Sequence, residues 1–136
     1  MHSRGERSVQ LSFTSRLGHL VVVLLLLAAA ALQVNDPDSW LWMSIYVLAA
    51  LGPALEIVGR GGLAASLVGI GACLVGAALS APGFFEYIVE HRGEPFMQQM
   101  SADRMYIEEA REFVGAVIAM GLVVLSYWWA RRARAG

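Results

Sequence analysis

Four apolar runs dominate the chain: Leu17 to Val34, Trp40 to Val58, Leu63 to Ala81 and Phe113 to Ala130. Each holds 18 or 19 residues, roughly 27–29 Å of helix against a hydrocarbon core of about 30 Å. Backbone polar groups in lipid must be satisfied within the segment, so the pattern predicts four spanning helices, 17–34, 40–58, 63–81 and 113–130. The links "NDPDS" and "GRGG" are short and force neighbouring helices to run antiparallel. The third link, 82–112, is long and opens with "GFFEYIVEH", a mixture of apolar and acidic residues. That mixture predicts a short interfacial helix between spans 3 and 4, broken by "RGEP". Ser101 is placed to cap a new helix that runs into the fourth span, with Asp103 favouring the positive dipole end of its first turn. The fold class read from this pattern is all-α, a four-transmembrane-helix antiparallel bundle.

Charge then orients the bundle. Of the 136 residues only 15% are charged, against about a quarter in a typical soluble domain. All ten basic residues are arginine. Both chain ends fall on one side, which carries Arg4, Arg7, Arg16, Arg60, Arg131, Arg132 and Arg134, while the other carries Arg92, Arg104 and Arg111. The positive-inside rule puts the arginine-rich side in the cytoplasm. The tails 1–16 and 131–136 are then cytoplasmic, and the loop 82–112 lies outside. Nine of the eleven acids lie outside, with only Glu6 and Glu56 inside. Trp40, Trp42, Phe84, Phe85 and Tyr87 mark one interface; Tyr127, Trp128 and Trp129 mark the other. The localisation expected is an integral, multi-pass protein of a bacterial inner membrane. The first run also resembles a secretory signal, but it is long for one and is read as a retained span.

Inside the membrane the third span carries a stripe of small residues, Ala65, Gly69, Ala72, Gly76 and Ser80. Such stripes let helix backbones approach closely, here within the bundle or between two copies of the chain. Pro53 interrupts the second span. Glu56 is followed four residues on by Arg60, a spacing that predicts a helical ion pair. The single cysteine, Cys73, excludes an internal disulfide and reads as a packing residue. His2, His19 and His91 are at depths unsuited to a bis-histidine haem. No phosphate-binding loop, zinc-helix, nucleophile-elbow or EF-hand pattern occurs, so no catalytic residue is named. The basic tails suit anionic lipid rather than nucleic acid.

Two acidic elements share the outer side. "NDPDSW" has a structural explanation: Pro37 fixes a turn, and Asp38 or Ser39 caps the second span. In "YIEEAREFVG", Glu108 and Glu112 share a helix face, with Glu109 beside them. Carboxylates held together repel and raise at least one pKa. Arg111 could offset them as part of a structural clasp of Asn35, Asp36, Asp38, Arg111 and Glu112. A divalent cation could do so instead, on Asp36, Asp38, Glu108, Glu109 and Glu112, and is the one cofactor the cluster suggests.

These two elements resemble those of the transmembrane protein 220 family. The matching residues are Asn35, Asp36, Pro37, Asp38 and Trp42, then Glu109, Arg111, Glu112 and Gly115. The resemblance implies a small multi-span membrane protein in which the two elements meet at the outer end. It implies no activity. Three readings follow. The first is a non-enzymatic accessory bundle whose partners are the lipid bilayer and another membrane protein or a second copy. The second is an outer carboxylate site for a divalent cation or a membrane-surface substrate. The third is transport by an oligomer.

Overall fold

The computed structural model describes residues 13–99 and 101–135. It is all-helical, with helices α1 (Phe13–Leu32), α2 (Ser39–Ile57), α3 (Leu63–Glu86) and α4 (Met105–Ala135). All four are long and apolar enough to cross a membrane. The protein is an integral membrane bundle. Its lipid-facing residues are large and aliphatic, among them Leu24, Val47, Leu67 and Ile118. Helices α1 to α4 are arranged in cyclic order, with α2 and α4 in contact across the middle and α1 separated from α3. The α3–α4 seam is the most extensive and the α1–α4 seam the sparsest side of the ring. The two ends of the bundle differ in charge, one an acidic end and the other an arginine end.

The core is built on small residues because backbones come close. A Cβ on Gly69 would stand 3.0 Å from the Ala49 Cα, and one on Gly76 would stand 3.0 Å from the Trp42 ring. Gly52 meets Ser66 in the same way, so α2 and α3 keep a constant antiparallel register over these three pairs. The buried stripe of α3 is Ser66, Gly69, Cys73, Gly76, Ser80 and Gly83. Gly69, Gly76 and Ser80 of the expected stripe are on it, while Ala65 and Ala72 sit half-buried at its edge. This face is turned into the bundle, against α2.

The described helices outrun the apolar runs, and unequally. The segment expected as a separate interfacial helix is the continuation of α3, which passes through Pro82 and ends in a π-helical turn, Tyr87–His91. Proline is accommodated because the register it disturbs is taken up outside the helix: the Gly83 N–H donates to Glu109 of α4 at 2.8 Å. Ser101 does cap, accepting from the Asp103 N–H at 3.3 Å ahead of a short 3-10 turn, Ala102–Arg104. At the other end Arg131, Arg132 and Arg134 continue α4 rather than forming a tail. Residues 1–12, including Arg4, Arg7 and Glu6, and Gly136 lie outside the described residues. Ser39 lies level with Leu79 in the α2–α3 register, so α3 and its π turn extend roughly 18 Å past the start of α2. Gly59, at φ 73°, makes the tight reversal between α2 and α3.

Candidate functional site

The acidic end is assembled from four directions. The turn after α1 supplies Asp36 and Asp38; α4 supplies Glu108, Glu109, Arg111 and Glu112; α2 supplies Trp42 and Tyr46; α3 supplies Gly83. Asp38 stands at the N-cap of α2, but its carboxylate makes no capping bond. It accepts from the Trp42 indole N–H one turn on, at 3.1 Å. Glu109 is fixed by the Gly83 N–H, and a Cβ at Gly83 would collide with its carboxylate. Gly115 is required for a similar reason: the Tyr46 hydroxyl lies against its backbone, where a Cβ would fall. Asp38, Trp42, Glu109 and Gly115 are thus mutually positioned parts of one construction.

Between these parts lie two cavities. One, of about 270 Å³, is lined by Leu32, Gln33, Asp36, Tyr46, Glu108, Arg111 and Glu112. The other, of about 380 Å³, has Pro37, Asp38, Trp42, Glu109 and Met105 in its wall and shares Glu108 and Glu112 with the first. Asp36, Glu108 and Glu112 are half-buried, and none makes an ion pair within 4 Å. Burial raises the Asp36 pKa, the neighbouring Asp38 raises it further, and Arg111 partly opposes both.

Arg111 is in this cleft but is held elsewhere. Its guanidinium donates to the Gln98 carbonyl at 3.1 Å, and Arg104 donates to the Gln98 side chain at 2.7 Å. The two arginines tether the loop to α4, and Arg111 reaches the carboxylates only through its field. Asn35 is exposed at the end of the 3-10 turn Gln33–Asn35. Among the described residues, no three histidine, cysteine or carboxylate side chains are arranged to hold a metal ion.

The loop folds back on the helices through Glu94. It accepts from the Tyr106 hydroxyl at 3.0 Å and pairs with the His91 Nδ1 at 2.9 Å, while its backbone carbonyl accepts from the Tyr87 hydroxyl. His91 stacks on Tyr106, with ring centroids 4.1 Å apart. The Tyr106 hydrogen bond, with His91, holds the Glu94 pKa below its ordinary value despite some desolvation. His91 is therefore part of a packed cluster, not a solvated loop residue.

The chain matches the family model described as transmembrane family 220, helix, over residues 25–128. It belongs to that family. The matched region holds both acidic elements and the cleft between them. No curated protein and no solved structure matches the chain. The family match stops short of Arg134, which carries the principal contact of the other end.

At the arginine end the structure shows what the sequence pattern concealed. Glu56 does not pair with Arg60. It is fully buried and receives a two-point bond from Arg134, at 2.9 and 3.1 Å. Helix α2 ends at Ile57, so the helical spacing to Arg60 is interrupted by the Gly59 turn. Gly61 lies so close to Glu56 that a Cβ there would collide with its side chain. His19 is likewise fully buried, with its Nδ1 2.8 Å from the Ser126 hydroxyl of α4. The spacing of 78 residues between Glu56 and Arg134 left no local signal for this pair.

Proposed function

We propose that the protein is a non-enzymatic bundle that binds another membrane protein at its acidic end, taking a cationic side chain of that partner between Asp36, Glu108 and Glu112. The observation that carries this reading is the state of those three groups. They line one cavity with no ion pair, and the arginine nearest to them is held by the Gln98 carbonyl. Like charges gathered in a half-buried cleft oppose one another, and a cation brought in from outside relieves that opposition. A guanidinium or ammonium fits a cleft in which no three ligands are placed for a metal. The orientation proposed with it puts the arginine end in the cytoplasm and the acidic end outside, on the distribution of arginine.

A photo-crosslinking residue at Pro37, on the rim of the cleft, tests the reading in intact membranes. The expected result is one dominant adduct whose linked peptide contains lysine or arginine. Its yield should fall about tenfold in Asp36→Asn/Glu112→Gln, the effect of roughly 1.4 kcal/mol of lost affinity. An unchanged yield in that variant would overturn the proposal. Near-stoichiometric divalent metal in the purified wild type, lost in the variant, would assign the cleft to an ion instead.

A further inference from the structure

The acidic cleft has a cation of its own in its wall. Arg111 lines the cavity together with Asp36, Glu108 and Glu112. On α4 it follows Glu108 by three residues, a spacing at which helix side chains meet. Its field reaches Asp36, whose raised pKa it partly brings down. A cation tethered this close competes at an effective concentration on the order of millimolar. A partner therefore meets an open cleft only while Arg111 is kept away.

The loop keeps it away. The acceptor that Arg111 uses, the Gln98 carbonyl, is neutral, while the carboxylates of its own cavity have no ion pair within 4 Å. A guanidinium bonds a carboxylate more strongly than a neutral oxygen. The observed pairing thus depends on Gln98 being held in place, and several contacts hold it. The Gln98 side chain donates to the Pro95 carbonyl at 2.9 Å and accepts from Arg104 at 2.7 Å. Four residues back, Glu94 ties the same loop to both helices. Its carboxylate is held by Tyr106 of α4 and by His91, the last residue of the π turn, and its carbonyl by Tyr87. Phe96 packs edge-on against the Tyr87 ring, with centroids 5.5 Å apart. The polar part of this fastening is at the surface, where the His91 and Glu94 side chains are 30% and 34% exposed. Polar contacts open to water break locally, at lower cost than unfolding the helices beneath them.

We infer that residues 92–98 form a latch that withholds Arg111 from the acidic cleft, and that release of the latch lets Arg111 pair with Glu108 and Asp36 and closes the cleft to any other cation. This regulation rests on the reading of the cleft as a site for a partner's cationic side chain. It makes Arg111 the partner's competitor and the loop the element that decides between them.

A cysteine at Gln33, in the wall of the same cavity, reads the charge of the cleft without any partner; the native Cys73 is buried. The measurement, on the purified full chain, is the ratio of its modification rates by a trimethylammonium and by a sulfonate methanethiosulfonate. With the loop latched the ratio should favour the cationic reagent by about tenfold or more. Tyr106→Phe/Gln98→Ala unties the loop from Glu94 and Arg104 without changing a charge. It should lower the ratio about tenfold, with unchanged helical content, and Gln98→Ala alone should lower it by a smaller factor. Arg111→Gln should then alter the ratio slightly with the loop latched and about tenfold with it untied. An unchanged ratio in the untied variant would overturn the inference, and so would an equal effect of Arg111→Gln in both loops. The partner is read separately, from the crosslink at Pro37, whose yield should fall in the untied variant and recover with Arg111→Gln. A rate ratio that responds as expected while crosslinking does not would uphold the latch and count against the partner reading alone.

Discussion

Gly115 illustrates how a single atom position governs the acidic end. The Tyr46 hydroxyl occupies the place of its missing Cβ, and that hydroxyl also reaches the cavity walled by Glu112. Gly115→Ala should lower stability by about 1–3 kcal/mol, the usual cost of overpacking. Tyr46→Phe should recover most of it, because it removes the atom that collides. Thermal unfolding of the two single variants and the double variant in detergent measures the coupling, and additive effects would contradict the contact. Asp36 gives a pH dependence of known sign. Its pKa is raised in the fold, so its charged form is disfavoured there. The stability it contributes is present below the ordinary value of 3.8 and is lost as pH rises through the folded value. Asp36→Asn should therefore raise the melting temperature at pH 7, by up to about 0.5 kcal/mol of stability, and have no benefit near pH 3. Of these details the sequence showed the residue types and little of their geometry. That Asp38 and Trp42 stand one helical turn apart was legible; that Glu109 reaches Gly83, 26 residues back along the chain, was not.

Helix by helix, the apolar runs located the spans because lipid demands continuous hydrophobicity, and the links "NDPDS" and "GRGG" fixed their antiparallel order. Helix ends were legible where the apolar pattern stopped or a cap stood in the sequence, as Ser101 ahead of the polar first turns of α4. The polar last turn, Arg131 to Ala135, extends α4 beyond its apolar run without such a signal, because Arg134 finds its support on α2. Partner choice between helices was the least legible, and Glu56 shows why. A local rule pointed to Arg60, but the helix ends between them and the tertiary partner is Arg134. Glu56 is fully buried while Arg134 is partly exposed, so removing the arginine strands a buried carboxylate at only part of the cost, about 3–5 kcal/mol, of breaking a fully buried pair. Arg134→Gln should show a loss of about 1–3 kcal/mol in chemical or thermal unfolding. Arg60→Gln should stay within about 0.5 kcal/mol, as an exposed substitution does. Adding Glu56→Gln to Arg134→Gln should restore part of the loss. A large effect of Arg60→Gln would argue for the local pair.

The whole molecule is asymmetric along its axis, with the unpaired carboxylates at one end and most of the arginines at the other. The orientation proposed from that asymmetry has a direct readout. A reporter fused after Gly136 should fluoresce as a cytoplasmic protein, and an alkaline phosphatase fused there should be inactive; the reverse pair of results would invert the orientation. The unequal reach of the helices adds a consequence of its own. Helices α3 and α4 rise past the start of α2 on one side of the acidic cleft, while Pro37 and Asp38 sit low on the other. The cleft is thus walled along the flank of α3 and α4 and low along the flank of Pro37. A partner that reaches Asp36 and Glu112 meets a tall helical wall on one side and a single turn on the other, so it can dock in one orientation far more readily than in its reverse.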